Sequence, residues 1–418
     1  MLYTVKHKIA SFVPALQSSN YRLFFMGQGI SLTGSWMQSV AEQWLVYPVL
    51  TSNKSLLGII SAVNMIPTII FVLFAGVLVD RINKRRMFIV FQIVYAVIAF
   101  VLYLLIVTKT IQLWHIFCAA FVGGVVFAFE HPTRQTFMMD LVEKKYWPSA
   151  LSLSSALFNS ARALGPAAAG IVIASLGIAP AYLINSISFF AVIISLFLMK
   201  FPPRIEEVKQ ETPFFAGMKE GLQYIKNNKI YLAILAIVGI MTFFTWPGST
   251  LQPVFAHDIF KKGEVGFGFI QSFFGIGAMV GGLTFSKVFE KLKKKYRLLY
   301  VSVGVAVITM IGYAWAPWFW FALLMQIIAG WAISTVFALN GTLMVIALPG
   351  ELRGRVLSIY TFVFMGFMPF GALLASLLVD IIGPQMIVTI CAIGIAISVS
   401  ILILLMRGKF QEKIMAMV

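Results

Sequence analysis

Gly76-Val77-Leu78-Val79-Asp80-Arg81-Ile82-Asn83-Lys84-Arg85-Arg86 interrupts two long apolar runs, residues 55–79 and 87–107, with one acid and four cations. A loop this short holds no domain, so the chain turns back at once and the flanking runs read as a helical hairpin at a membrane edge. Lys and Arg beside spanning helices stay on the cytoplasmic side, so this loop sets the orientation of the rest. Asp80 closes one helix and the basic cluster opens the next.

The apolar character extends outward from that loop. Of 418 residues, 60% are hydrophobic and 11% charged, and the mean hydropathy is +0.93. Soluble domains carry about 25% charged residues, so the composition excludes an ordinary soluble globule and points to a polytopic membrane protein. A net charge of +17 would suggest nucleic acid in a soluble chain. Here the cations sit in short loops between apolar runs, where orientation and contact with anionic membrane lipids explain them, and no nucleic-acid partner is expected. Cys118 and Cys391 lie far apart inside apolar runs and read as small buried hydrophobes, not a disulfide. The first long apolar run carries Gln28, Gln38, Glu42 and Gln43 and no small-residue cleavage pattern, so it is expected to stay as a helix.

A span needs about 20 apolar residues. Twelve stretches qualify, near 21–48, 55–79, 87–107, 112–139, 149–175, 179–199, 230–256, 265–288, 297–315, 318–347, 355–379 and 385–406. An even number puts both termini on one side. Loops there carry Lys84, Arg85, Arg86, Lys144, Lys145, the segment 200–229, Lys291, Lys293, Lys294, Lys295, Arg297, Arg353 and Arg355, against Lys54, Lys109, Lys261 and Lys262 opposite. That asymmetry predicts a multi-pass protein of a bacterial cytoplasmic (inner) membrane with both termini cytoplasmic. Residues 200–229 are the one sizeable polar stretch and read as a cytoplasmic linker with a short amphipathic helix, between an N-terminal bundle over 1–199 and a C-terminal bundle over 230–418. One constant offset pairs Ala75-Gly76 with Gly281-Gly282, Ser152 with Ser358, Gly165 with Gly371 and Gly177 with Gly383. The fold class expected is all-α: twelve transmembrane helices in two pseudo-symmetric six-helix bundles, with a site between them at mid-depth.

Gly76, Asp80, Arg81 and Arg85 are similar to the signature Gly-x-x-x-Asp-Arg-x-Gly-Arg-Lys/Arg between the second and third helices of the major facilitator superfamily. Asn83 stands at the usual Gly, where a tolerance of left-handed turns would suit it. Ala161-Arg162-Ala163-Leu164-Gly165-Pro166 and Pro349-Gly350-Glu351-Leu352-Arg353-Gly354-Arg355-Val356 make the chain resemble the enterobactin-exporter-like branch, which includes macrolide efflux pumps. That resemblance implies a major facilitator fold and a secondary active transporter. The substrate would be a small amphiphilic molecule, siderophore- or drug-like, exported against protons by alternating access. Gly76, Asp80, Arg81 and Arg85 would form part of an inner gate, which Asp140 joins because it sits at the same membrane edge.

Polar side chains recur on single helix faces: Gln28, Ser31, Ser35, Gln38 and Glu42; Ser152, Ser155, Asn159, Arg162 and Pro166; Thr242, Thr245, Ser249 and Gln252. Two readings stand, a substrate cavity lined by Gln28, Ser35, Gln38, Asn159, Thr245, Ser249 and Gln252, or helix packing through small and polar residues. A charge at a helix centre costs about 2.5–3.5 kcal/mol even on the lenient insertion scale, so Glu42, Glu130, Arg134 and Arg162 need partners or water. Glu130 and Arg134 are one turn apart and can pair. About ten residues separate Glu130 from Asp140, or roughly 15 Å of helix, which places the acid near the midplane. Glu130 is the expected proton-coupling acid, with Arg134 or Arg162 stabilising its ionised form; Glu42 is the second candidate, and a static buried bridge is the other reading of the pair. His131 reads as a packing residue and not a metal ligand.

No His-Glu-x-x-His, paired intramembrane aspartates or Ser-His constellation supports an enzyme, and no Gly-x-x-x-x-Gly-Lys-Ser/Thr supports ATP coupling. No cofactor or metal is expected, and the chain is expected to work as a monomer. The competing readings are an importer or flippase of lysophospholipid-like substrates and a receptor-like protein without net flux.

Overall fold

Where each helix starts and stops follows from caps and apolar length. The structure, a computed structural model, describes residues 14–79, 83–200, 214–291, 295–346, 348 and 350–405. In chain order the helices are α1 (Ser19–Trp44), α2 (Ser55–Val79), α3 (Lys84–Val107), α4 (Leu113–Asp140), α5 (Trp147–Leu176), α6 (Ala179–Leu198), α7 (Phe214–Asn227), α8 (Lys229–Thr250), α9 (Gly263–Lys291), α10 (Lys295–Ala314), α11 (Phe319–Ile346), α12 (Gly350–Ile382) and α13 (Pro384–Leu405). Ten of them, α3–α6 and α8–α13, are long and apolar enough to cross a membrane. The 26-residue α1 is long enough but carries the polar stripe from Gln28 to Glu42, and α2 contributes a shorter apolar stretch over Ser55–Phe71. Large hydrophobic side chains such as Leu164, Leu176, Ile308 and Leu404 are exposed. In a bilayer these face acyl chains and carry no penalty.

Asn83 begins α3 as a conventional N-cap. Its backbone is extended (φ −61°, ψ 103°) and its side chain accepts from the Arg86 amide at 3.1 Å, so capping, and not tolerance of a left-handed turn, explains Asn here. Ser18 caps α1 and also donates to the Leu141 carbonyl at 2.7 Å, which ties the start of α1 to the end of α4. Cys118 is exposed on α4, contrary to the expectation of burial, while Cys391 is buried; both are free.

The chain forms two compact units, residues 1–45 with 67–208, and residues 46–66 with 209–418. In the first unit α1 packs on α5 and α6, and α3 on α4 and α6. Phe24, Phe88 and Phe137 meet at one end of it with ring centroids 5.8–6.1 Å apart. In the second unit α8 packs on α12 and α13, α9 on α11, and α10 on α11 and α13. The linker helix α7 lies on α12, where Glu220 pairs with Arg355 and Gly221 packs against Ile359.

Some positions paired by the sequence offset lie at corresponding points of their helices. Gly177 and Gly383 end α5 and α12 at φ 85° and 80°, each donating its amide to a carbonyl one turn back, at 2.9 and 3.0 Å. A side chain on Gly165 would meet Trp36 and Thr33 of α1, and one on Gly371 would collide with the Phe243 carbonyl of α8. Thr68 of α2 donates to the Gly124 carbonyl of α4 at 2.9 Å, while Gly330 of α11 presses on the Phe274 carbonyl of α9. Small residues let spanning helices approach to backbone distance, which supplies the dispersion contact that apolar solvent does not provide.

Gly330→Leu is expected to cost about 1–3 kcal/mol or more by overpacking. Gly304, with open space around it, is expected to accept Ala without loss. Thermal unfolding of the two purified variants in detergent checks this.

Candidate functional site

Glu130 and Arg134 occupy successive turns of α4. Glu130 is 6% exposed, and Arg134 Nε lies 3.3 Å from its Oε1, so the expected local pair forms. Pro132 sits between them, and Thr133 and Thr136 donate back to the carbonyls of Phe129 and Pro132 at 2.7 and 3.0 Å. Such back-bonding gives each hydroxyl a partner inside an apolar span. Tyr95 of α3, stacked on Phe189 at 5.4 Å, is within electrostatic reach of both charges. Arg134 also borders a small cleft with Tyr21, Phe24, Phe25, Gln28 and Leu32 of α1, Met138 of α4, and Ser154 and Leu157 of α5. The arginine therefore faces an acid on its own helix and a largely apolar wall that includes the buried amide of Gln28 and the Ser154 hydroxyl.

The other expected residues divide by what their polar atoms touch. Arg162 of α5 lies over the Trp36 ring, 5.7 Å from its centroid, a cation–π contact. Gln38 of α1 accepts from Asn185 of α6 at 2.7 Å, and Asn185 in turn contacts Ser188, so this part of the α1 stripe joins two helices. Ser35, Asn159 and Thr245 donate to carbonyls one turn back on their own helices, at 2.9, 2.9 and 2.6 Å. Such back-bonding shields a polar group in an apolar span. Ser249 is half-buried on α8, and Gln252 is buried in the short turn that follows. Glu42, half-buried in the last turn of α1, is within electrostatic reach of the buried Tyr182 of α6. His131 contacts Gln135 at 3.3 Å and packs on Phe127. Among the described residues no three His, Cys, Asp or Glu side chains gather as a metal site would need.

Of the gate residues, Gly76 is in α2, and Asp80 and Arg81 lie outside the described residues. Arg85 donates to the Phe197 carbonyl in the last turn of α6 at 3.5 Å, where a cation also complements the helix dipole. Asp140 pairs with Lys84 at 2.8 Å. The sequence reading treated Lys54 only as a loop cation and did not single out Tyr47, Asp258 or Asp380. In the second unit Lys54 contacts Asp258 at 3.1 Å and Asp380 at 3.7 Å, and the Tyr47 hydroxyl donates to Asp258 at 2.7 Å. An acid at the end of an apolar run was the available signal.

Among the described residues ten helices long and apolar enough to span, one of them keeping an ion pair inside it, define a polytopic all-α membrane protein, and its solved likenesses have the major facilitator fold. The nucleoside transporter NupG shares that fold, with a TM-score of 0.71 over 92% of this chain and 98% of that one at 13% identity. Residues 9–416 match the transmembrane secretion effector family, and the chain belongs to that family of the major facilitator superfamily, which places it among transporters of small molecules and not enzymes. It is 25% identical to the staphyloferrin A transporter of Staphylococcus aureus, over 87% of this chain and 90% of that protein. It is 23% identical to macrolide efflux protein A of Streptococcus pyogenes, over 87% and 91%.

Asn185→Ala and Gln38→Ala are each expected to destabilise by about 1 kcal/mol, because each removes the amide that the other bonds. The double variant should cost no more than the larger single loss. A thermal double-mutant cycle in detergent measures it.

Proposed function

We propose that this transporter exports a small amphiphilic molecule, siderophore- or drug-like, in exchange for protons by alternating access. In this reading α1 and α2 also cross the bilayer, giving twelve spans as six and six. The protein is a monomer in a bacterial inner membrane with both termini cytoplasmic. Glu130 is the coupling acid, Arg134 stabilises its ionised form, and Arg162 and Glu42 supply further charge. Gln28 lines the substrate path with the cleft beside Arg134. Gly76, Asp80, Arg81, Arg85 and Asp140 belong to the inner gate.

The observation that carries the reading is the Glu130–Arg134 pair itself. Two ions kept inside an apolar span cost several kcal/mol before pairing, and a helix that needed only to pack would do better with two apolar residues. A carboxyl held beside a guanidinium can bind and release a proton as that contact is made and broken. The names of the two curated relatives, one for staphyloferrin A and one for macrolide efflux, support the class of substrate and, for the second, the direction. Energetically one site suffices. A proton crossing ~100 mV supplies ~2.3 kcal/mol, enough for roughly a fifty-fold substrate gradient at ~1.4 kcal/mol per decade.

The experiment is a mass-spectrometric comparison of cells and medium with the gene deleted and restored. A compound that accumulates inside deleted cells and vanishes from their medium is the expected result, whereas one left in the medium and missing inside means uptake. With that compound in proteoliposomes, Glu130→Gln should lose the response to an imposed pH gradient while still binding substrate. A full response in Glu130→Gln would remove the coupling role from Glu130.

A further inference from the structure

Gln92 of α3 is 2% exposed, and its side-chain oxygen has no hydrogen-bond partner. A buried amide oxygen without a donor is costly, and more so in a span where no water can answer it. Contacts above and below fix its level in the first unit. Phe88 of α3 meets Phe137 of α4 with ring centroids 6.1 Å apart, and Tyr95, two turns further along α3, is within electrostatic reach of Glu130, two turns earlier on α4. The two helices therefore run antiparallel in one register, which sets Gln92 opposite Thr133 and Arg134. On the α6 side Ser186 is committed to the Ala96 carbonyl at 2.9 Å, Phe189 stacks on Tyr95, and Val192 is fully buried in an apolar cluster with Phe88.

Thr133 donates its hydroxyl to the Phe129 carbonyl at 2.7 Å, so the donor at the level of Gln92 is the Arg134 guanidinium, a fork of N–H groups whose Nε faces Glu130 at 3.3 Å. The titratable and charged groups around Glu130 are Arg134 and His131 of α4, Tyr95 of α3 and, across the cleft beside Arg134, Tyr21 of α1. The α2 residues that meet α4 are Thr68 and Phe71, and the α5 residues that line the cleft are Ser154 and Leu157, all uncharged. Arg162 of α5 lies more than a turn beyond Leu157, over the Trp36 ring.

We propose that Gln92 is the second seat of Arg134: when Glu130 takes up a proton the guanidinium leaves it and donates to the Gln92 oxygen, and when Glu130 ionises the guanidinium returns. One proton enters from water onto the carboxylate, Arg134 keeps its charge, and the pair goes from neutral to singly positive. A guanidinium left alone in hydrocarbon would oppose that step and hold the pair as a static bridge. A hydrogen bond from the cation to the amide oxygen removes the opposition, and it partners the one atom that is orphaned while the ion pair stands. The inference rests on the reading of Glu130 as the coupling acid and adds Gln92 as a positioning residue, one that acts through Arg134 and touches neither proton nor substrate.

The test needs protons alone as the ligand. Infrared difference spectra of the full-length protein in nanodiscs, titrated from alkaline to acid pH and compared with Glu130→Gln, identify the Glu130 carboxyl band and its midpoint. Gln92→Met, which keeps the length and removes the oxygen, is expected to move that midpoint toward acid by about one pH unit, because the protonated state loses its bond to Arg134. Gln92→Asn, which keeps an amide oxygen on a shorter stem, should move it less, and it decides the matter if Gln92→Met does not fold. Since the oxygen is unpaired while Glu130 is ionised, Gln92→Met should hold or raise the thermal midpoint on the alkaline side of the titration and lower it on the acid side. A Glu130 band that titrates in the parent and does not move in either Gln92 variant would overturn the second seat and leave the coupling role of Glu130 standing. Equal destabilisation of Gln92→Met on both sides would overturn it too, since Gln92 would then be a fixed packing contact. A Glu130 that does not titrate in the parent overturns the coupling role and the second seat together.

Discussion

Hydrocarbon offers no water to a polar group, and many polar atoms in the spans of this protein are answered from within the protein. The hydroxyls of Ser35, Thr133 and Thr245 return to their own helices. Gln38 and Asn185 answer each other across two helices. Glu130 and Arg134 answer each other within one. Of these arrangements the last pairs an acid with a base inside the span.

The same absence of water removes the hydrophobic drive between helices, so they are held by close approach. Glycine provides it at Gly330 against Phe274 and at Gly371 against Phe243, where backbone meets backbone. Gly177 and Gly383, matched by the sequence offset, both follow their helices at positive φ.

The polar stripes show how one sequence pattern can serve different ends. Along α1, Gln28 borders a cleft with Arg134, Ser35 bonds to its own backbone, and Gln38 fastens α6. Periodicity places these residues on one face and cannot say which of them has a partner. The Arg162 guanidinium illustrates the point, since an aromatic face at Trp36 accepts it as readily as a carboxylate would in sequence reasoning.

The all-helical, many-span character, the short helix Phe214–Asn227 of the polar stretch and the local Glu130–Arg134 pair were legible because each depends on neighbours within a few turns of chain: apolar length, turn residues and the one-turn spacing of a helix. Asn83 was placed correctly at a turn but for the wrong reason, because a cap and a left-handed turn favour the same residue. What only the tertiary structure decided are contacts between distant positions. Tyr47 and Asp258 are 211 residues apart and Gln38 and Asn185 are 147 apart, and which donor meets which acceptor there is set by how whole helices pack. The division of α2 at Pro67 is of the same kind: local sequence reads one continuous apolar helix, and only backbone proximity to distant parts of the chain assigns its two halves to different units.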